Sequence, residues 1–186
     1  MSRISRLSLL SLAFAALVAG SSGAGLPAPA LAPVIAAQLP QVKVQGGGEL
    51  TFLGLSIYDA HLYRPGNARG EWSTNEPFAL QLVYHRSLKG SLVAARSMEE
   101  MDKQGSCNAE QRVRWGEMLT KILPDVDADD RLTGVNLPKR GVQFYQNGKF
   151  IGSIDDVAFA RAFFGIWLDP ATSEPALRQQ LLGITP

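Results

Sequence analysis

The stretch RLTGVNLPKRGVQFYQNGKFIGSI, residues 131–154, decides the fold class of this chain. It divides into three runs with strand composition, Arg131–Leu137, Val142–Gln146 and Lys149–Ile154. The last two runs are joined by Asn147-Gly148 alone. A two-residue turn of this kind needs positive φ at both positions, which Asn and Gly tolerate best. The stretch therefore predicts antiparallel strands joined by a tight hairpin.

Outward from this stretch, strands are grouped with strands along the chain. Upstream we predict four more, at Val42–Val44, Leu50–Leu55, Ile57–Tyr63 and Phe78–His85, with a turn at Gly46-Gly47-Gly48 between the first two. Helices are grouped in the same way. Because no strand–helix–strand rhythm supports a parallel sheet, the pattern predicts an α+β fold.

Helix signals lie between the two groups of strands and after the second. Apolar spacing predicts one helix from about Leu88, capped by Ser87 or Ser91, and a second from about Asn108 to Leu123. Asp155-Asp156 is expected to cap a helix that reaches Leu168. We expect Ser173 to cap the last helix and Gly183 to end it.

The N-terminus predicts export. Residues 1–24 combine Arg3 and Arg6, an apolar run and small residues at a cleavage site, as a signal peptide does. A retained N-terminal anchor is the alternative. We expect a periplasmic or secreted protein without a stable membrane span after cleavage, in which residues 25–40 form an Ala- and Pro-rich lead-in and residues 41–186 the domain.

Composition and motifs exclude several functions. Loss of the signal lowers the formal net charge from +1 to −1, and no basic run suggests nucleic-acid binding. Cys107 has no second cysteine to pair with, so we expect a free thiol. We predict no metal site, no cofactor and no catalytic residue. Asp59 and His61 share one strand face, and we expect an exposed polar pair there. We expect a monomer.

The candidate ligand site lies at the end of the strand LQLVYHR, residues 80–86. Alternation places Tyr84 and Arg86 on the core face with Leu80 and Leu82, and His85 on the opposite face. A guanidinium there must reach water, pair with an acid or meet an anionic ligand. We predict ligand binding by Arg86, Tyr84 and Tyr58. The alternative is that Arg86 lies past the strand end and faces water.

The chain resembles the bacterial chalcone isomerase-like proteins. The segments that carry this likeness cover nearly all of residues 41–183: LTFLGLSIYDAHLY, LVYHRSLKG, RLTGVNLP, FYQNGKFIGSIDD and AFARAFFGIWLDPATSEPALRQQLLG. The resemblance implies a large antiparallel sheet with a helical layer packed on one face and a cleft between them. It also implies an isomerase arginine near Glu49-Leu50-Thr51, where this sequence has none.

The resemblance favours a binding protein over an enzyme. Without the arginine, a developing enolate would lose its main electrostatic stabiliser, so we do not expect chalcone isomerase activity. We expect the domain to hold a small apolar or amphipathic ligand, such as a fatty acid, in the cleft. The alternatives are an isomerase or lyase acting on another substrate, and a cell-envelope interaction protein that docks through exposed Phe164 and Trp167.

Overall fold

Six antiparallel strands form one sheet in chain order. The computed structural model describes residues 28–39, 41–66, 68 and 71–184, so the predicted signal peptide lies outside the described residues. The strands are β1 (Val42–Phe52), β2 (Leu55–Pro65), β3 (Phe78–Tyr84), β4 (Arg131–Leu137), β5 (Gly141–Gln146) and β6 (Lys149–Ile154). The predicted hairpin is confirmed, with φ of 50° at Asn147 and 81° at Gly148.

The last four of the five helices in the described residues follow the order that the sequence predicts, and the first lies in the lead-in, where no helix was predicted. The five helices are α1 (Pro33–Ala36), α2 (Gly90–Lys103), α3 (Ala109–Ile122), α4 (Val157–Leu168) and α5 (Pro175–Leu182). Helices α2 to α5 pack on one face of the sheet in a single apolar core, which confirms the α+β sheet with a helical layer. In the described stretches, no helix combines the length and the apolarity that crossing a bilayer requires.

Side-chain caps mark the starts of α3 and α4, and a left-handed glycine marks the end of α5. Asn108 caps α3 in a capping box with Gln111, and the Asp156 carboxylate accepts two backbone N–H groups at the start of α4. Gly183 ends α5 in the left-handed conformation, as predicted. The predicted serine caps are wrong. The N–H of Gly90 in α2 bonds the Asp125 carboxylate instead, and the Ser173 hydroxyl donates to Glu100.

The predicted turn at Gly46-Gly47-Gly48 is wrong, because these residues lie inside the continuous strand β1. Glycine is needed here because it has no side chain, not because its backbone is flexible. A Cβ atom at Gly46 would lie 2.0 Å from the backbone oxygen of Gln180, so only glycine lets α5 approach the strand this closely. The turn lies instead at Leu53-Gly54, where φ is positive at both residues.

The sheet has a second, smaller core on its other face. Ile35 and Leu39, from the lead-in, are buried there against Tyr63, Val135 and Tyr145. The register places these side chains opposite to those under the helices. The lead-in residues 28–39 therefore cover part of a face that an open sheet would leave to water.

Candidate functional site

A cavity of about 330 Å³ lies between the sheet and the helices α2 and α4. Most of its wall is apolar and includes Leu50, Leu80, Leu82, Leu132, Phe144 and Phe163. An engineered apolar cavity of ~150 Å³ is enough to hold benzene, so this volume suits a larger organic molecule. Phe52 and Leu92 also line the cavity and are 58% and 62% exposed, so they mark an opening to solvent.

Two predicted site residues, Tyr58 and Tyr84, meet in the cavity wall. They face each other across β2 and β3 with ring centroids 5.7 Å apart. The Tyr58 oxygen accepts a hydrogen bond of 2.9 Å from the Trp167 indole N–H. The Tyr84 hydroxyl has no hydrogen-bond partner within the described part of the chain. Burial raises the pKa of both tyrosines, so both remain protonated donors at neutral pH.

Arg96, Glu100, Ser173 and Glu174 form a polar cluster in the wall of the cavity. The Glu100 carboxylate accepts from the Ser173 hydroxyl at 2.6 Å and lies 2.6 Å from the Arg96 guanidinium. Burial by itself would raise the pKa of Glu100. The hydrogen bonds from Ser173 and Lys103 and the charge of Arg96 outweigh that effect and lower the pKa. Glu100 is therefore a buried anion at neutral pH.

The third predicted site residue, Arg86, is not among the residues that line the cavity. It lies beyond the end of β3, is half-buried, and its Nε donates to the Ser56 carbonyl oxygen at 3.0 Å. The guanidinium that does reach the cavity belongs to Arg96, which the sequence analysis missed. The signal that could have identified it is helical spacing, which places Arg96 on the same side of α2 as Val93, Ser97 and Glu100.

The other face of the sheet carries a second group of polar side chains. Glu49, Asp59 and His85 come from three neighbouring segments, and their potential ligand atoms lie within 4.8 Å of one another. His85 Nε2 lies 3.1 Å from Asp59 Oδ1. These residues could offer ligands to a divalent cation. Separation in sequence hid the grouping, although His85 lies on the face that alternation predicts.

Two predicted exposures are wrong. The expected exposed pair of Asp59 and His61 does not form, because His61 is only 2% exposed and its Nδ1 is buried without a partner among the described residues. Burial lowers the pKa of His61, and the nearby Asp59 charge only partly opposes this. The expected docking patch of Phe164 and Trp167 is also absent, because both side chains are buried in the core beneath α4.

The chemistry of this site favours binding over catalysis. Leu50, within the segment where the resemblance would place the isomerase arginine, contributes an apolar side chain to the cavity wall. The cavity offers apolar surface, two neutral hydroxyl donors and a cation that is already paired with an acid. Such a wall can bury an apolar chain and orient it through a few hydrogen bonds.

Comparisons with known proteins agree with this architecture. An uncharacterised protein of Haemophilus influenzae is 29% identical over 141 residues, which are 75% of this chain and 67% of that protein. The crystal structure of an Arabidopsis thaliana fatty-acid binding protein superposes with a TM-score of 0.59 at 11% identity, over 76% of this chain and 87% of that one. A family model described as chalcone isomerase-like matches residues 32–183. The chain therefore belongs to the chalcone isomerase-like family.

Proposed function

We propose that the protein is an exported, non-catalytic binding protein that holds one small apolar or amphipathic molecule with a fatty-acid-like chain in the cavity. The observation that carries the proposal is the apolar cavity of about 330 Å³ with two tyrosine hydroxyls in its wall. The plant fatty-acid binding protein of the same fold supports it by analogy. Leu50 in the wall, in place of a cation, supports the absence of isomerase activity.

Binding is tested by filling the cavity. Val93 is half-buried on α2 and lines the cavity, so Val93→Trp should occupy part of its volume. We expect N-phenyl-1-naphthylamine, an uncharged fluorescent probe, to bind the unaltered protein and to bind this variant at least tenfold more weakly. Val113→Trp, on the exposed surface of α3, is the matched control and should bind like the unaltered protein.

A second measurement is native mass spectrometry of protein purified without detergent, which should detect a small-molecule adduct that Val93→Trp loses. Equal binding by Val93→Trp and the unaltered protein would refute the cavity as the site. Absence of any probe binding and of any adduct would refute the binding function itself.

Export is a separate part of the proposal and is tested by fractionation. We expect the chain expressed with residues 1–24 in a Gram-negative host to be recovered from the periplasm, with its mature N-terminus beyond the apolar run. Recovery of the uncut chain from the cytoplasm would contradict export without bearing on ligand binding.

A further inference from the structure

We infer that the ligand's polar group is an uncharged oxygen acceptor, such as a hydroxyl, an ester or a ketone, and not a carboxylate. The inference rests on the proposed binding function and specifies its ligand class. It follows from two features of the cavity wall. The tyrosine hydroxyls have no acceptor for their protons among the described residues, and the guanidinium of Arg96 is already ion-paired with carboxylates.

The two tyrosines supply donors without acceptors. The Tyr58 oxygen accepts from Trp167, which leaves the Tyr58 proton free to be donated. The Tyr84 hydroxyl has neither donor nor acceptor within the described stretches, although the residue is 98% buried. Both tyrosines line the cavity, so a ligand oxygen placed beside their hydroxyls can accept from both. Because their pKa values are raised by burial, the tyrosines offer protons to an acceptor and not negative charge.

The charges around the tyrosines oppose an anion. Of the charged residues that line the cavity, Arg96 is the cation, and Glu100 and Glu174 are anions. The Arg96 guanidinium is held by Glu100 at 2.6 Å and by Glu99 at 3.2 Å. Burial is the main cause of the raised pKa of Tyr58, and the charges of Glu174 and Glu100 add to it more than the charge of Arg96 opposes it. A carboxylate bound at the tyrosines would meet the same repulsion and find no unpaired cation in the wall.

A cationic head group matches the site less well than an uncharged one. The glutamates would attract an ammonium group, but an ammonium has no lone pair and cannot accept the tyrosine protons. An uncharged oxygen satisfies both donors and leaves the Arg96–Glu100 pair intact. The polar cluster therefore discriminates by head-group charge, while the apolar wall accepts the same chain in each case.

The test compares three ligands that share a ten-carbon chain, decanol, decanoate and decylamine, by calorimetry at pH 7.5. Decanol is kept below its solubility limit, and the other two are kept below their critical micelle concentrations. We expect decanol to bind at least tenfold more tightly than decanoate and more tightly than decylamine. Decanoate or decylamine binding as tightly as decanol would overturn the inference while leaving the proposed function standing. No binding of any of the three would overturn the proposed function and the inference together.

Two variants test which residues cause the preference for an uncharged head group. Tyr84→Phe should weaken decanol binding by about tenfold, as expected for the loss of one hydrogen bond to a buried acceptor. Glu174→Gln, at an exposed residue in the cavity wall, should strengthen decanoate binding severalfold and leave decanol binding unchanged. The control Glu117→Gln, on the exposed side of α3, should change neither affinity. Equal effects of Glu174→Gln and Glu117→Gln on decanoate would contradict the electrostatic basis of the inference.

Discussion

The two faces of the sheet bury apolar side chains in different ways. Beneath α2 to α5 the core is large, yet it leaves a cavity in which the Tyr84 hydroxyl has no partner among the described residues. On the other face the core is small, but the lead-in covers it closely and Tyr145 is fully hydrogen-bonded, to Gln38 and Gln143. The two faces therefore differ in what surrounds a buried tyrosine: a cavity beside Tyr84 and hydrogen-bond partners at Tyr145.

This difference between the two faces distinguishes side chains that stabilise the fold from side chains that can bind a ligand. A side chain that exists for folding is packed and hydrogen-bonded, whereas an unsatisfied buried donor is retained at a cost to stability. Tyr84 lines the cavity, where a ligand can reach its hydroxyl, whereas on the lead-in face the Nδ1 of His61 carries that cost, because it is buried without a partner in the described stretches. Substitutions on the two faces should therefore differ in the size of their effects on stability.

The largest expected effect is on the cavity face, where α5 meets β1. Gly46→Ala places a Cβ atom 2.0 Å from the backbone oxygen of Gln180 and must displace the helix. We expect the free energy of unfolding to fall by about 3 kcal/mol, measured by urea denaturation.

The control for this change is Gly116→Ala in α3, where the nearest atom is Met98 Cγ at 3.5 Å. Alanine favours a helix over glycine by about 0.5–1 kcal/mol, so this variant should be more stable than the unaltered protein. A loss at Gly46 no larger than the change at Gly116 would mean that α5 does not pack against β1.

The next effect tests the cover on the other face. Ile35→Ala removes a side chain that is 0% exposed between α1 and the sheet, and we expect a loss of about 2 kcal/mol in the free energy of unfolding. Val34→Ala, in the same short helix but 49% exposed, should change stability by less than about 0.5 kcal/mol. Equal small effects would show that the lead-in contributes nothing to the fold.

A smaller, pH-dependent effect tests the buried histidine. Because burial lowers the pKa of His61 in the folded state, the unfolded chain binds the proton more readily. The stability contributed by neutral His61 is present above the unfolded pKa of about 6.5 and is lost as pH falls from there toward the folded pKa.

His61→Gln should therefore reduce the loss of stability between pH 7.5 and 5.5, measured by urea denaturation at each pH. His85→Gln, which replaces the other of the two histidines at an exposed position, is the matched control and should retain the loss. If His85→Gln rather than His61→Gln flattened the pH profile, the buried histidine would not be its source.

Sequence reasoning succeeded where local signals determine local structure. The Asn147-Gly148 turn, the Asp156 cap and the Gly183 helix end each act within a few residues, and all are found in the structure. The glycines of β1 were misassigned because a glycine signals a turn and a close approach equally well. Only the tertiary contact with α5 separates those two explanations.

The candidate site was harder to predict because its polar members come from distant segments. Alternation placed Tyr58 and Tyr84 on the core face, and they do meet. The same rule was applied to Arg86, which lies past the end of β3, where strand alternation no longer determines which way a side chain points. The cation that lines the cavity, Arg96, is on a helix whose apolar spacing drew attention to other residues, and no local signal links it to Ser173.

The smallest expected effect compares a tyrosine hydroxyl from each face. Tyr84 and Tyr145 are both almost fully buried, but within the described ranges only the Tyr145 hydroxyl has partners, Gln38 at 2.6 Å and Gln143 at 2.8 Å. Tyr145→Phe should therefore lower the free energy of unfolding by about 1 kcal/mol, because it removes hydrogen bonds to two half-buried amide groups. Tyr84→Phe should change it by less than about 0.5 kcal/mol in ligand-free protein, since no bond is lost. Urea denaturation of both variants after delipidation checks this. A Tyr84 loss as large as that of Tyr145 would mean that the cavity hydroxyl supports the fold, and the functional contrast between the two faces would then fail.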